Sequence, residues 1–260
     1  MIGAIIGDIV GSRFEFDNIK TKNFDLFSVD CDFTDDTVMT LAIAKAMTRR
    51  NDKDFKKTLI STMHEVGGQY PSCGYGGRFL DWIMDESTEP YNSCGNGSAM
   101  RVSAVGWCAQ TLAEAESLAK ISAEVTHNHP EGIKGAQAVA GAIFLAKTGA
   151  SKDTIREYIT DNYYVLDFTL DEIRPTYQYE IVCQTSVPQA IQAFLEATSF
   201  EDAIRNAISI GGDSDTVAAI CGSIADAYYG VDEDLRETAL SYLDDYLLDI
   251  YEECIKAIGR

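Results

Sequence analysis

The chain has 260 residues, is 46% hydrophobic and carries a formal net charge of -20. That apolar content supports a full globular core, and the acid excess argues against nucleic acid or an anionic membrane as a bulk partner, since both require basic patches. Seven cysteines without a C-x-x-C pair fit free thiols in a reducing cytoplasm, not a disulfide framework or a zinc site. The opening run MIGAIIGDIVGS is apolar but short, lacks a basic lead and is interrupted by Asp8, so it reads as neither signal peptide nor membrane span. Gly3, Gly7 and Gly11 recur in it every four residues, a pattern of close helix packing in a soluble interior. Residues 23–33, NFDLFSVDCDF, form a weak strand candidate. Helical periodicity then dominates through 36–47, 54–66, 111–125, 130–149, 186–198, 200–210 and 215–230, with the tail from Asp232 to about Ile258 read as one long helix. Pro130 and Pro188 are expected in first turns, and Gly149 and Gly230 at C-terminal caps. No linker, repeat or low-complexity stretch divides the chain, so one compact all-α domain over 1–260 is expected, cytoplasmic and monomeric.

Two short acidic segments stand out. FTDDTVMT begins at Phe33, and GGDSDTVAAI begins at Gly211. In each, two aspartates and a threonine precede an apolar run. Either alone reads equally well as a helix N-cap, where one side-chain oxygen satisfies a free N–H and acid favours the positive helix end. A cap needs a single oxygen, however, and Asp35, Asp36, Asp213 and Asp215 supply more than capping uses. Clustered oxygen donors suit a hard cation such as Mg²⁺ or Mn²⁺. Neither segment fills an octahedral shell. Brought together, with Thr34 and Thr216 adding hydroxyls, they are expected to hold two ions ~3.5–4 Å apart.

Glycine-rich loops follow the first acidic segment. GYGG covers Gly74, Tyr75, Gly76 and Gly77; SCGNGS covers Ser93, Cys94, Gly95, Asn96, Gly97 and Ser98 and opens onto an apolar run. Such loops read either as flexible turns or as phosphate cradles built from backbone N–H groups. The second lacks the Gly-Lys-Ser/Thr ending of a Walker A motif, and no βαβ unit surrounds it. His127, in THNHPEG, precedes the Pro130 helix and is open to a structural or a functional role.

These segments together resemble the ADP-ribosylglycohydrolases, the group that includes the dinitrogenase-reductase-activating glycohydrolase. GAIIGDIVGSRFEF, FTDDTVMT, GYGG, GNGSAMRVSAVGW, THNHPEGIKGAQAVAGAIFLA and GGDSDTVAAICGSIADAYYG occur in family order from residue 3 to 230. The resemblance implies an orthogonal all-α bundle with two Mg²⁺ or Mn²⁺ ions. It implies Thr34, Asp35, Asp36, Asp213, Asp215 and Thr216 as ligands, and Glu15 as an acidic residue near the scissile bond. Gly74, Tyr75 and Gly76, the Ser93–Ser98 loop and His127 would contact an ADP-ribose-containing substrate, which could be an ADP-ribosylated protein. Cys94 departs from the residue that relatives often carry there, and the compact stretch from Tyr163 to Gln184 is where leaving-group specificity is expected. The implied reaction is hydrolysis at C1 of the distal ribose, with Asp35 or Asp36 as base. Alternatives on the same residues are a metal-dependent phosphoester or pyrophosphate hydrolase and an ADP-ribose-binding protein without activity.

Overall fold

The computed structural model describes residues 1–258, and every regular element in it is a helix. The first, α1 (Ile2–Ser12), is buried on all sides from Ile2 to Gly11. Such a helix must be enclosed by others, because it has no polar face to offer water. Its glycines make this possible. A Cβ on Gly3, Gly7 or Gly11 would lie 2.1, 2.1 and 2.5 Å from main-chain atoms of Gly222, Ala218 and Asp215. These belong to α13 (Ser214–Tyr229), itself buried from Ser214 to Asp226. The two helices therefore meet backbone against backbone.

The remaining helices surround this pair. They are α2 (Asp35–Met47), α3 (Phe55–Gly67), α4 (Gly77–Met84), the short α5 (Gly97–Met100) and α6 (Ser103–Cys108), then α7 (Leu112–Glu124), α8 (Pro130–Lys147), α9 (Lys152–Asn162), α10 (Leu170–Ile173), α11 (Cys183–Glu196), α12 (Phe200–Ser209), α14 (Glu233–Leu240) and α15 (Asp245–Ile258). Helices α8, α11 and α12 pack on α13, and α2 packs on α1, so one continuous hydrophobic core joins them. All seven cysteines are free. Among the described residues, no helix is long and apolar enough to cross a membrane.

Pro130 takes the first position of α8, and Gly149 and Gly230 follow α8 and α13 with φ of 85° and 76°. Three local expectations fail. Pro188 lies inside α11, which begins at Cys183, five residues earlier than the proline suggests. The carbonyl that loses its partner belongs to Gln184, an exposed residue. Residues 23–33 form no strand. Their backbone is satisfied by side chains instead: Arg205 donates to the Phe24 carbonyl at 2.6 Å and the Tyr242 hydroxyl to the Ser28 carbonyl at 2.9 Å. The tail is two helices, because Asp244 accepts from Leu247 N at 2.9 Å and so caps a new helix start.

Candidate active site

Two helix starts and one helix body deliver the acids. Thr34 caps α2, its hydroxyl accepting from Asp36 N, which leaves Asp35 and Asp36 in the first turn. Before α13 the chain turns through Gly211 and Gly212, both with positive φ (70° and 82°), a backbone that glycine adopts without steric cost. Asn18 grips Gly212 from both sides, donating to its carbonyl at 2.8 Å and accepting from its N–H at 2.7 Å. That clasp brings the loop after α1, which carries Glu15, beside Asp213.

Asp8, at the middle of α1, is fully buried and completes the arrangement. It accepts from Thr34 N at 2.9 Å, Thr34 Oγ1 at 2.6 Å and Thr37 N at 3.0 Å, tying the start of α2 to α1. Asp8, Asp36 and Asp215 place carboxylate oxygens within 4.8 Å of one another, as do Glu15, Asp213 and Asp215. Asp215 is common to both groups. Thr216 Oγ1 donates to Asp36 Oδ2 at 3.0 Å, and Asn96 Nδ2 to Asp213 Oδ2 at 2.7 Å. Asp36 Oδ1 is buried with no hydrogen-bond partner among the described residues. Asp35 belongs to neither group. Its Oδ1 lies beside Gly74, 3.0 Å from where a Cβ there would stand, and its N–H donates to the Cys73 carbonyl.

So many acids in one place cannot all ionise without an opposing charge. None of these six side chains joins an ion pair among the described residues. Burial raises Asp8 to about 6. Burial, helped by the Asp213 and Asp8 charges, raises Glu15 to about 7. Burial and then Asp8 and Asp213 raise Asp35 to about 8. Asp36 and Asp215 are pushed well above the usual carboxylate range by burial first and neighbouring carboxylates second, and burial raises Asp213. A divalent cation would reverse these shifts, and the donor set, all oxygen, suits Mg²⁺ or Mn²⁺.

All of these acids except Asp8 line a cleft of about 320 Å³. Ser93, Gly95, Asn96, Gly97 and His127 line the same cleft, together with Arg78, Tyr91 and Arg101. The 93–97 loop is fixed by an antiparallel bridge to Val182, with Asn96 N donating to the Ile181 carbonyl at 2.9 Å. Gly74 and Gly76 line the same cleft. Tyr75, Cys94 and Ser98 do not. Tyr75 is buried against Phe79 and donates to the Gly67 carbonyl, Ser98 donates to the Gly132 carbonyl, and Cys94 contributes its carbonyl to Cys183 N. At the rim, the Tyr179 hydroxyl donates to Glu15 Oε1 at 3.0 Å, and exposed Phe16 lies against the Tyr179 ring.

Two residues escape the sequence reading. Asp8 was noticed only as an interruption of an apolar run, yet a carboxylate in the middle of an otherwise apolar helix already demands a buried partner. Arg101 sits within the apolar run after SCGNGS, where a lone guanidinium likewise calls for buried partners.

The ADP-ribosylglycohydrolase family profile matches residues 1–259. ADP-ribosylhydrolase ARH3 of Homo sapiens is 26% identical over 312 residues, covering 90% of this chain and 85% of its own length. ADP-ribosylarginine hydrolase Tri1 of Pseudomonas putida is 26% identical over 266 residues, covering 89% and 70%. A solved structure titled ADP-ribosylglycohydrolase-related protein complex superposes with a TM-score of 0.72 at 22% identity, covering 99% of this chain and 95% of that one, and so shares the fold. With its profile match running the length of the chain, and its helices arranged as in that solved relative, the chain belongs to the ADP-ribosylglycohydrolase family.

Proposed function

We propose that the protein, acting as a single domain, hydrolyses the bond at C1 of the distal ribose in ADP-ribosyl conjugates and releases ADP-ribose. The observation that carries this reading is a single cleft lined both by carboxylates that join no ion pair and by a glycine loop, a histidine and arginines. Such a cleft suits a ligand that presents both hydroxyls and anionic oxygens. The two relatives, an ADP-ribosylhydrolase and an ADP-ribosylarginine hydrolase, support the same substrate class.

Asp36, Asp213 and Asp215, with Thr34 and Thr216 around them, would hold two Mg²⁺ or Mn²⁺ ions; Asp215 is the residue common to both three-carboxylate groups. Asp8 already accepts three hydrogen bonds and so holds the α2 turn in place. The orphaned, buried Oδ1 of Asp36 is the atom most in need of a cation. When bound, the ions supply positive charge that orients sugar hydroxyls and lowers the pKa of water toward neutrality.

The protein's own side chains do the rest. Asp35 lines the cleft outside both three-carboxylate groups, so it is the base placed to take a proton from the attacking water. Glu15, held by Tyr179 at the rim where a leaving group would depart, stands outside the ion-holding set; burial is the main cause of its raised pKa, and its carboxyl can give the leaving group a proton. The positive charge that grows on the ribose in such a cleavage is matched by the carboxylates beneath it.

The test is a panel of defined conjugates (arginine-, serine-, acetyl- and nucleic-acid-linked ADP-ribose) assayed with Mg²⁺, Mn²⁺ or chelator. Release of free ADP-ribose from at least one, abolished by chelator, is the expected result. Formation of AMP and ribose phosphate from ADP-ribose, or tight ADP-ribose binding without turnover on any conjugate, would overturn it.

A further inference from the structure

A buried guanidinium without a carboxylate partner is costly, and this protein keeps one beside its cleft. Arg101 is 1% exposed and joins no ion pair among the described residues. Burial lowers it to about 10, so it is still charged at neutral pH. Its Nη2 donates to the Ser122 carbonyl and to Thr126 Oγ1, both at 2.9 Å. Thr126 is completely buried, and the same oxygen lies 2.7 Å from His127 Nδ1.

Proton counting decides what this chain of contacts means. A guanidinium can only donate, so Thr126 must accept from Arg101. The hydroxyl's second lone pair could also accept from Nδ1–H, but its own buried O–H has no acceptor other than Nδ1 among the described residues, and leaving it unpaired is costly, so Thr126 donates to Nδ1. Nδ1 therefore carries no proton, and the neutral ring carries it on Nε2. That nitrogen faces the glycine loop: a Cβ on Gly97 would lie 3.2 Å from it and one on Gly95 3.5 Å. The same guanidinium charge opposes a second proton on the ring, whose pKa falls well below the usual range through burial first and then Arg101 and Arg78.

We infer that Arg101 is a positioning residue which, through Thr126, fixes His127 in the Nε2–H tautomer aimed at the Gly95–Gly97 side of the cleft. The group it serves is an oxygen acceptor on the ligand. The identity of that ligand rests on the function proposed above, but the tautomer does not. The polarity of the relay also means that His127 acts as a hydrogen-bond donor at neutral pH and is no proton acceptor for the reaction.

Nitrogen-15 NMR of His127 in the ligand-free protein tests this directly. The expected spectrum has a pyridine-type Nδ1 and a pyrrole-type Nε2, unchanged across neutral pH. Thr126→Val, which keeps the shape but removes the hydroxyl, should mix the two tautomers, and Thr126→Ser should restore the single one. In calorimetric titration, ADP-ribose should bind Thr126→Val about tenfold more weakly and Thr126→Ser nearly as well as the parent, the loss of roughly one oriented hydrogen bond. A pyrrole-type Nδ1 in the parent protein, or an unchanged tautomer in Thr126→Val, overturns the inference. Failure of ADP-ribose to bind the parent protein would count against the proposed function alone, because the spectrum is read without ligand.

Discussion

Replacing Gly7 by alanine asks whether the contact between α1 and α13 sets the spacing of the acids. The new Cβ would stand 2.1 Å from the Ala218 carbonyl oxygen and 2.6 Å from Ala219 N. A relaxed carbon–oxygen contact needs about 3.3 Å, so the helices must part by roughly 1.2 Å at that level. Neither neighbour can rotate away, since both are main-chain atoms of a buried helix. Overpacking of this kind costs about 1–3 kcal/mol, against about 1 kcal/mol gained from alanine's better helix propensity. The expected net loss of stability is therefore about 0–2 kcal/mol, read as a lower urea midpoint. The larger effect falls on the site. Asp8 is the next residue, and Asp215 lies about a turn before Ala218, so the two sides of the acid cluster move apart by a similar distance. Metal coordination tolerates only about 0.2 Å, and Mg²⁺ affinity by calorimetry should fall tenfold or more. Gly77→Ala is the control, because nothing lies within 4 Å of its added Cβ. Unchanged stability and unchanged Mg²⁺ binding in Gly7→Ala would refute the claim that main-chain contact fixes the site.

Stability should depend on pH in an unusual direction. Asp8, Glu15 and Asp35 are raised to about 6, 7 and 8, so the folded chain holds protons that the unfolded chain releases near pH 4. Their contribution is present below pH 4 and lost as pH rises through 6 to 8. Melting temperature in chelator should fall across pH 5 to 8, millimolar Mg²⁺ should flatten the decline, and a flat profile in chelator would count against the burial of these charges. Asp36→Asn removes one of the most crowded carboxylates. At pH 8 in chelator it should be more stable than the parent by about 1–2 kcal/mol, roughly 3–6 °C in melting temperature, while losing most of the stabilisation by Mg²⁺. Asp8→Ala leaves Thr34 and Thr37 N–H groups without their acceptor and should cost about 2–6 kcal/mol by urea unfolding, at about 1–3 kcal/mol per orphaned group. Tyr179→Phe removes the hydrogen bond that lowers the Glu15 pKa, so any limb of the pH–rate profile belonging to Glu15 should move to higher pH.

The helical class and most long helices were legible because their apolar periodicity is strong and their ends carry proline, glycine or capping residues, as at Pro130 and Gly149. Pro188 misled because a proline is tolerated inside a helix wherever the carbonyl it orphans faces water. Asp244 broke the tail through a side-chain cap that a continuous periodic pattern hides. The TDD and DSD segments advertise themselves by crowding, and the structure brings Asp36, Asp213 and Asp215 together. Asp8 and Arg101 could not be found the same way. Each stands alone in its segment, and its role depends on what a distant helix presents to it. Tyr75, Cys94 and Ser98 show the reverse: a motif names its loop, but only the fold decides which side chains face the cleft.

The mutual burial of α1 and α13 has a consequence for biogenesis. The first helix leaves the ribosome more than two hundred residues before its partner is made, a wait of about ten to forty-five seconds at ~5–20 residues per second. During that interval Ile2, Ile5, Ile6 and Ile9 lack the α13 surface against which their helix is buried. Nascent chains stalled before residue 214 should therefore engage holdase chaperones through this segment, and releasing them by completing α13 should be the event that creates both the core and the acid cluster at once.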